Sequence, residues 1–357
     1  MNKPSRRRLC TIGASVAAGA VLSATALATA QADAPVSSPS ARANASLGNG
    51  IPATVDASAD LASQGAEGKS DSIYFTSHVK SQGHTFGILV QTVNAVEADQ
   101  RIMAVSVTDE TTGWYKNYQV PVAKDDYTWS TDGLNIKMPG LTWTGDAKKM
   151  SVQATTPWGA LDLDFESEGP VLNYAGTGEF DMLGARQHEF ALPSLRTTGT
   201  LTVQGRTHRV SGESWLDRQW GELPLGNSNH WTWMNLSLSN GDKVAIWDTV
   251  GDKKENSWAT VLHPDGSYEL AAVKPLAGGA HRFWTSPNSG NSYPTRWRVQ
   301  IPSLKADLDV RITGTEAQEL GSRPLVRLEG TATTTGTYEG KRVTGHNFVE
   351  MVGAWSK

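Results

Sequence analysis

The chain has 357 residues, of which 38% are hydrophobic, and it carries 36 acidic and 32 basic side chains. This length and composition suffice for one large or two ordinary domains with a real core, and they exclude a disordered or fibrous protein. The excess of acidic side chains argues against nucleic acid and an anionic membrane surface as partners.

The first 32 residues have the pattern of an export signal. Ser5–Leu9 (SRRRL) is a basic start of the twin-arginine type, residues 12–28 form an Ala-rich apolar stretch, and Ala30–Ala32 suits cleavage after small residues. A membrane anchor is the alternative, but the apolar stretch is short and rich in Ala, Gly and Thr, so we expect no stable membrane insertion. The pattern predicts a secreted protein that uses the twin-arginine pathway.

Cleavage at this point would remove Cys10, the single cysteine, together with four basic residues. The mature chain would then carry 28 basic and 36 acidic residues, a net charge of −8. Without cysteine it could form no disulfide, thiol nucleophile or thiolate metal site, so its stability would come from core packing. The eight histidines lack metal-ligand spacing and the common catalytic and nucleotide-binding motifs are missing from the sequence, so we predict neither metal nor cofactor.

The remainder of the chain divides into a linker and a β-rich part. Residues 33–70 are rich in Ala, Ser, Pro and Gly, which predicts a flexible linker because such a segment buries too little apolar surface to offset its ordering entropy. Beyond it, short apolar runs of period two alternate with Gly, Asn and Asp turns, and no stretch has a helical period. This predicts an all-β protein of two tandem β-barrel or β-sandwich units, residues 71–222 and 223–357. The expected strands include 85–93, 102–108, 151–155, 160–166, 200–203, 231–239, 243–250, 296–301, 306–312 and 343–352.

Residues 211–221, SGESWLDRQWG, place two tryptophans, two acids and an arginine in one predicted strand. Strand alternation divides the central side chains between two faces, with Trp215, Asp217 and Gln219 on one and Leu216, Arg218 and Trp220 on the other. Asp217 is either a proton donor whose pKa is raised by nearby apolar rings or a structural carboxylate in an ion pair with an arginine. The sequence leaves both readings open.

Residues 230–250 predict a hairpin that turns at Asn240-Gly241, a strong hairpin signal. A two-residue loop would place Trp233 opposite Asp248, and cross-strand partners share a face. One face would then carry a carboxylate among indoles and is expected to line a binding pocket, while the other would be ordinary core. His230, which opens the hairpin, is either a pocket residue or a structural histidine. The expected pocket face comprises Trp231, Trp233, Asn235, Ile246 and Asp248.

Several stretches of the chain, taken in order, are informative together: residues 163–166, 192–199, 210–221, 293–302, 327–330 and 348–353. The central Trp-x-Asp-x-x-Trp-Gly element, with Glu-Gly and Val-Glu-Met-Val-Gly near the end, resembles the carotenoid 1,2-hydratase (hydroxyneurosporene synthase, AttH-like) family of lipocalin-like proteins. The resemblance runs from about Ser72 to Gly353. Carotenoid hydratases carry His where this chain has Arg218 and Tyr-x-Asp where it has Ile246–Asp248, so only Trp220 and Asp248 match at those positions.

The resemblance implies two tandem lipocalin-like units with an apolar pocket within or between them. Members of the family hydrate polyene and prenyl double bonds or direct Diels–Alder closure of polyene chains, without a cofactor. Alkene hydration needs an acid, aromatic faces that stabilise a carbocation, and a base that activates water. Asp217 and Asp248 are the candidate acid and base. The candidate substrate-binding residues are Trp215, Trp220, Trp231, Trp233, Asn235, His230 and Arg218.

The sequence predicts one function for the protein and leaves two alternatives. We expect a secreted, cofactor-independent lyase or isomerase that acts on a hydrophobic unsaturated substrate, a polyene, terpenoid or polyketide, by hydration, isomerisation or [4+2] cyclisation. The first alternative is a secreted lipocalin-like carrier of a hydrophobic small molecule that performs no chemistry. The second is a carbohydrate-active β-sandwich, since exposed indoles stack on sugars and carboxylate pairs cleave glycosides.

Overall fold

The computed structural model describes residues 52–65, 69–223, 229–252, 254–321 and 326–353. The predicted signal peptide, including Cys10, lies outside the described residues. None of the helical turns in the described part has the length or the apolar character of a membrane span. These turns are of the 3-10 type and comprise Lys124–Asp126, Tyr174–Gly176 and Leu276–Gly279. All other regular structure is β, which confirms the predicted all-β class.

The first sheet is a curled half-barrel of thirteen antiparallel strands. Its strands are β1 (Ser70–Ser81), β2 (His84–Ala95), β3 (Gln100–Asp109), β4 (Trp114–Pro121), β5 (Thr128–Trp129), β6 (Leu134–Met138), β7 (Leu141–Gly145), β8 (Lys149–Thr156), β9 (Gly159–Ser167), β10 (Leu172–Asn173), β11 (Glu179–Met182), β12 (Ala185–Val203) and β13 (Arg206–Gly221). The spatial order is β4-β3-β2-β1-β13-β12-β9-β8-β7-β6-β5, and β10 and β11 each pair with β12.

The second sheet is a curled half-barrel of ten antiparallel strands. Its strands are β14 (His230–Leu238), β15 (Lys243–Val250), β16 (Glu255–Leu262), β17 (Tyr268–Ala272), β18 (Ala280–Thr285), β19 (Ser292–Ile301), β20 (Ala306–Ile312), β21 (Glu319–Leu320), β22 (Arg327–Tyr338) and β23 (Lys341–Val352). The spatial order is β17-β16-β15-β14-β23-β22-β20-β19-β18, and β21 pairs with β22. Every strand expected from the sequence is present.

Period-two alternation explains why these segments form strands. In β9, Leu161, Leu163 and Phe165 are buried, whereas Asp162 and Asp164 between them are exposed. One face of the strand therefore packs in the first half-barrel and the other meets water. Strands β1 and β13 differ because both of their faces are buried over much of their length, one inside the first half-barrel and one against the second sheet.

Three apolar clusters organise the interior. One fills the first half-barrel, one fills the second, and a third draws side chains from both sheets. The third cluster includes Tyr74 and Trp215 from the first sheet, Trp233 and Trp247 from the second, and Tyr174 from the 3-10 turn that follows β10. The space between the two sheets is therefore aromatic.

The predicted flexible linker is wrong for Pro52–Gly65, which packs on the first half-barrel. Val55 and Leu61 are buried in its core. The backbone of this segment also supplies acceptors, because the Leu61 carbonyl accepts a hydrogen bond from the Trp129 indole at 3.0 Å. Two large apolar side chains and a set of buried donors are enough to order a segment whose composition is otherwise typical of a linker.

The hairpin of β14 and β15 turns at Asn240-Gly241 as predicted, but its predicted register is wrong by one residue. The loop has three residues, because the Leu238 amide donates to the Asp242 carbonyl at 3.0 Å. The Asn240 side chain stabilises this longer loop by accepting a hydrogen bond from the Asp242 amide at 3.2 Å. Sequence reasoning had assumed the two-residue loop that is most common for Asn-Gly.

The shift of one residue changes which side chains share a face. Trp233 pairs with Trp247, and Asp248 pairs with Thr232. Trp231 and Trp233 therefore lie on the face that meets the first sheet, while Ile246 and Asp248 lie on the opposite face.

Candidate active site

A cavity of about 180 Å³ lies between the two sheets. The first sheet contributes lining residues from β1, β2, β11, β12 and β13, and the second contributes them from β14, β15 and β23. Indole rings and carboxyl groups dominate the lining. The residues that bear on its chemistry are Tyr74, Glu189, Asp217, Trp231, Trp233, Trp247 and Glu350.

Strand β13 presents the two faces expected from the sequence. Asp217 and Gln219 line the cavity, and Trp215 packs in the aromatic cluster between the sheets. Leu216 and Trp220 point the other way, into the core of the first half-barrel. The alternation predicted for SGESWLDRQWG is confirmed, and only one of its two faces borders the cavity.

Asp217 is held through one of its two carboxyl oxygens. Oδ1 accepts hydrogen bonds from the Trp215 indole N–H and from the Tyr174 hydroxyl, each at 2.8 Å. The Trp233 indole N–H donates to the Tyr174 oxygen at 3.0 Å and fixes that hydroxyl in turn. Oδ2 is buried and has no hydrogen-bond partner among the described residues. The carboxyl is thus oriented on one side and unengaged on the other.

The environment of Asp217 favours its neutral form. Burial raises the pKa of Asp217 to about 8, and the nearby charge of Glu350 adds to the rise, while the hydrogen bonds from Trp215 and Tyr174 act in the opposite direction. No ion pair to Asp217 occurs within the part of the chain that the structure describes, so the ion-paired reading left open by the sequence is not what is observed. Asp217 carries a proton at neutral pH.

A second buried carboxyl, Glu189 on β12, lines the same cavity. Burial raises the pKa of Glu189 well above its usual range, and the charges of Asp217 and Glu350 raise it further. Two carboxyl groups in one apolar enclosure disfavour simultaneous ionisation, because each charge is unsolvated and repels the other. The pair therefore holds at least one proton.

Glu350 differs from these two groups because a cation stands beside it. Arg327 Nε lies 3.5 Å from Glu350 Oε1 and 2.5 Å from Glu329 Oε1. The Trp231 indole N–H donates to Glu350 Oε2 at 3.1 Å, and the Tyr74 hydroxyl donates to Glu329 Oε2 at 2.5 Å. The cavity thus contains a neutral acid on one side and an ion-paired carboxylate on the other, an arrangement that separates acid from base.

The aromatic lining is packed edge to face. Tyr74 and Trp233 meet with ring centroids 5.2 Å apart, and Trp215 and Trp233 with centroids 6.4 Å apart. Indole and phenol faces carry negative electrostatic potential, so they attract a cation placed over them. The cavity can therefore hold an apolar molecule and stabilise positive charge on it.

Asp248 is absent from the cavity, so the prediction that it lines the pocket as a base is wrong. Its Oδ1 accepts a hydrogen bond from the Ser257 hydroxyl, and its Oδ2 accepts one from the Leu276 amide at 3.2 Å. The cause is the hairpin register, which turns Asp248 away from the tryptophans of the same hairpin.

Arg218 and Trp220 also lie outside the cavity, and their predicted substrate-binding role is wrong because strand alternation places them on the face of β13 that is turned away from it. Arg218 is fully buried in the first half-barrel, between the rings of Trp129 and Trp220 at 4.5 and 4.8 Å. Its Nη2 donates to Asp71 Oδ1 at 2.6 Å, and its Nε donates to the Asp60 carbonyl at 2.8 Å. Arg218 anchors the segment that precedes β1.

Asn235 and His230 are not among the residues that line the cavity. The Asn235 amide donates to Thr76 Oγ1 at 2.9 Å and its Oδ1 accepts from the Phe348 amide at 2.7 Å, so Asn235 connects the two sheets. His230 is half-buried at the start of β14. Of the seven predicted substrate-binding residues, Trp231 and Trp233 line the cavity and Trp215 packs beside it.

Sequence reasoning missed the residues that complete the site. Tyr174 and Glu189 lie in segments that carry no motif. Arg327, Glu329 and Glu350 lie within two stretches that support the family resemblance, RLEG and FVEMVG, where a charged residue interrupts an apolar strand. That interruption was the available signal, because a charge at an otherwise core position indicates a buried pair or a site.

Comparison with known families identifies the family of this chain. The AttH-like family matches residues 65–354. The chain belongs to the AttH-like family. Two curated relatives are fungal: a dehydratase, asqC, of Emericella nidulans is 31% identical over 57% of this chain and 61% of its own, and kievitone hydratase of Fusarium solani subsp. phaseoli is 27% identical over 54% and 56%. The chain thus spans about three fifths of the length of the curated relatives that it matches.

Solved structures confirm the AttH-like fold. Kievitone hydratase from Nectria haematococca has a TM-score of 0.74 at 23% identity, and the match covers 86% of this chain and 95% of that one. An AttH-type protein from Nitrosomonas europaea has a TM-score of 0.71 at 19% identity, with 85% and 97% covered. At these identities the likeness concerns the fold and its two half-barrels.

Proposed function

We propose that this protein is a lyase that adds water to, or removes water from, a hydrophobic unsaturated small molecule bound between the two sheets. The observation that carries the proposal is Asp217, a buried carboxyl in the lining of an indole-containing cavity that keeps its proton and has one oxygen without a hydrogen-bond partner among the described residues. The relatives named hydratase and dehydratase support the same chemistry, since the two reactions are the reverse of each other.

In the hydration direction Asp217 acts as the general acid. Its Oδ2–H transfers the proton to one alkene carbon, the π electrons form the new C–H bond, and positive charge develops on the other carbon. The faces of Trp233 and Trp231 stabilise this cation. Trp215 and Tyr174 hold Oδ1 and stabilise the carboxylate that forms, so Asp217 remains oriented through the step.

Glu350 is the proposed base. A water molecule adds its oxygen to the cationic carbon, and the proton released from that water passes to the Glu350 carboxylate. Arg327 Nε lies 3.5 Å from Glu350 Oε1 and places a positive charge beside this carboxyl group. Solvent exchange then returns the proton to Asp217. In the reverse direction the roles are exchanged, because the same path is followed backwards: protonated Glu350 gives its proton to the departing hydroxyl, the C–O bond breaks to release water, and the Asp217 carboxylate removes the proton from the neighbouring carbon.

A carrier that performs no chemistry would use the same cavity, but it has no need of these acids. Glu189 and Asp217 are buried, and neither has an ion-pair partner within the described part of the chain. Their burial costs free energy, either because a charged carboxylate loses its hydration or because the carboxyl must keep its proton. An apolar ligand would gain no binding free energy from these buried carboxyl groups. These two buried carboxyl groups therefore favour an enzyme over a carrier.

We also propose that the mature protein is exported by the twin-arginine pathway, and the support for this is the amino-terminal sequence. Mass spectrometry of the culture medium of its native host should find a chain that begins near residue 33. Finding the chain only in cells, with residues 1–32 retained, would contradict export.

The proposed activity is tested by isotope incorporation. Extraction of the protein purified from its native host, followed by mass spectrometry, identifies a bound molecule, and the acyclic terpenoids linalool, nerolidol and myrcene serve as a starting panel. In H₂¹⁸O, hydration of an alkene introduces ¹⁸O into the alcohol product, and an alcohol substrate gains ¹⁸O when its dehydration is reversed. We expect Asp217→Asn to lower the rate of incorporation by a factor of roughly 10² to 10⁴, the usual contribution of a general acid.

Asp248→Asn is the matched control for this experiment. Asp248 is also a buried aspartate whose pKa is raised by burial, but it faces away from the cavity. We expect this variant to keep the wild-type rate within about threefold. Equal losses in the two variants, or full activity in Asp217→Asn, would contradict the assignment of Asp217.

A further inference from the structure

The cavity between the sheets is small for the ligand class proposed for it. Its volume of about 180 Å³ is below the roughly 300 to 1,000 Å³ of sites that enclose ordinary organic ligands. An open groove of about 730 Å³ lies alongside it. The cavity and the groove share one floor.

That floor is a single face of the second sheet. Trp247, which lines the cavity, pairs across strands with Trp258, which lines the groove. Trp258 pairs in turn with Ala272 on β17, and Leu270 lies on the same face of that strand. Leu270 is 51% exposed, and among the described residues it is one of two large apolar side chains that are exposed to this degree, the other being Phe283 at 36%.

Phe180, on β11 of the first sheet, divides the cavity from the groove. Its ring centroid lies 6.1 Å from that of Trp247 on the cavity side and 5.3 Å from that of Trp258 on the groove side. Met182, two residues after Phe180 on the same strand, lines the cavity. Leu183, the first residue after the strand, lines the groove. Strand β11 therefore forms a shared wall, with one apolar side chain between the two compartments.

This wall is weakly held. Strand β11 has four residues and pairs with β12 alone, outside the main path of the sheet. Leu183, in the turn that follows, has a left-handed backbone with φ of 56°, which is unfavourable for a leucine. The ion pair between Asp181 and Lys254, at 3.0 Å, joins the wall to the second sheet, and it is more than half exposed. Exposed ion pairs of this kind contribute little to stability.

We propose that the groove floored by Trp258, Leu270 and Ala272 binds the distal apolar part of the substrate, and that Phe180 determines how long a substrate the site accepts. The ligand class is an elongated, uncharged hydrophobic molecule that reaches from the cavity past the Phe180 side chain into the groove. This inference rests on the proposed function for the identity of the occupant, and its support is the single sheet face shared by Trp247, Trp258, Ala272 and Leu270 together with the small volume of the cavity.

Two probes of different length test the groove without any need for turnover. All-trans-retinol has twenty carbons and extends into the groove, whereas geraniol has ten and fits the cavity side. Binding is measured by quenching of tryptophan fluorescence, in the Asp217→Asn background as well as in the wild type. Asp217→Asn keeps this test separate from the assignment of Asp217 as the acid. Because that variant is expected to bind the probes without turning them over, its probe affinities report on the groove alone.

We expect Leu270→Asp to weaken retinol binding about tenfold, because a carboxylate in the groove loses apolar contact and is desolvated by the bound chain. Geraniol affinity should stay unchanged. Phe283→Asp, the matched change at the other exposed apolar residue, should alter neither affinity. Phe180→Ala, which opens the wall, should raise the ratio of retinol to geraniol affinity.

The proposal is overturned if the wild type fails to bind retinol, or if Leu270→Asp leaves retinol affinity at the wild-type value. It is equally overturned if Leu270→Asp and Phe283→Asp weaken retinol binding by the same factor, since the effect would then be a general consequence of surface charge. An unchanged ratio of retinol to geraniol affinity in Phe180→Ala would show that Phe180 does not determine the length of the bound molecule.

Discussion

The two faces of strand β13 bury charged residues in opposite ways. On one face Arg218 is completely satisfied, since each guanidinium nitrogen has an acceptor and Asp71 supplies a counter-charge. On the other face Asp217 is satisfied through Oδ1 alone, and its Oδ2 is buried without a partner among the residues that the structure describes. Adjacent residues of one strand thus differ in whether the protein completes their hydrogen bonds.

This difference distinguishes a charged group that stabilises the fold, Arg218, from an acid that can take part in a reaction, Asp217. A buried ion whose donors and acceptors are all engaged holds its protonation state and fixes the chain around it. A buried acid that is left half engaged keeps a proton that it can give to a ligand, because nothing in the protein stabilises its charged form fully. The Trp-x-Asp-Arg-x-Trp sequence places both kinds of group next to each other, and strand alternation sends them to different compartments.

The largest expected effect is loss of stability in Arg218→Met. This change removes the cation from a fully buried pair and leaves Asp71 and the carbonyls of the preceding segment without their donor. Removal of one partner of a buried ion pair destabilises a protein by roughly 3 to 5 kcal/mol. Urea unfolding followed by tryptophan fluorescence measures the change in the free energy of unfolding.

The matched control is Arg298→Met on the second sheet, where Arg298 pairs with Asp307 at the surface. Its free energy of unfolding should stay close to the wild-type value, because exposed ion pairs contribute little. Adding Asp71→Asn to Arg218→Met should restore part of the lost stability. Equal stabilities of the two single variants would mean that Arg218 is not structural.

A smaller effect is expected on the pH dependence of stability. The pKa of Asp217 is about 8 in the folded protein and has its ordinary value of 3.8 without the fold. Between these pH values the folded state holds a proton that the unfolded state has lost, so rising pH favours unfolding. The contribution of Asp217 to stability is therefore complete below about pH 4, declines as pH rises towards 8, and is absent above it.

Asp217→Asn should flatten this decline, because the amide is neutral at every pH in the range. Asp162→Asn, a change on the exposed face of β9, should leave the slope as in the wild type. The measurement is the midpoint of thermal unfolding at intervals from pH 4 to pH 9. Parallel curves for wild type and Asp217→Asn would show that Asp217 ionises equally in both states.

The smallest predicted effect is that of Tyr174→Phe. The Tyr174 hydroxyl donates to Asp217 Oδ1 and lowers the pKa of that carboxyl, so its removal should move the pKa further up. Loss of one such hydrogen bond corresponds to a shift of roughly half to one pH unit. The alkaline limb of the activity profile should move to higher pH by that amount, and a shift to lower pH would contradict the hydrogen-bond assignment.

Local pattern was sufficient to predict much of the fold. The period of two located the strands, Asn240-Gly241 located the hairpin turn, and alternation sorted the side chains of β13 correctly. These features depend on residues close together in the chain, where propensity and turn geometry act directly. Trp231 and Trp233 could be placed at the pocket for the same reason.

The rest of the site depends on register and on contacts distant in sequence. An extra loop residue reversed the face of Asp248, since a slip of one residue inverts a strand. Tyr74 meets Glu329 from 255 residues away, so no local pattern joins them. The composition of Pro52–Gly65 predicts a linker. The prediction fails because the segment is ordered by hydrogen bonds from Arg218, a residue of β13 that lies more than 150 positions further along the chain.

The central claim is that Asp217 remains protonated at neutral pH in the folded protein, and its direct test is a titration of that carboxyl. Carbon-13 NMR of protein labelled at the aspartate side-chain carboxyl, with Asp217→Asn used to assign the signal, follows its ionisation from pH 3 to pH 10. The structure predicts a midpoint near pH 8. A midpoint near 3.8 would show an ionised carboxylate in the cavity and would contradict Asp217 as the acid.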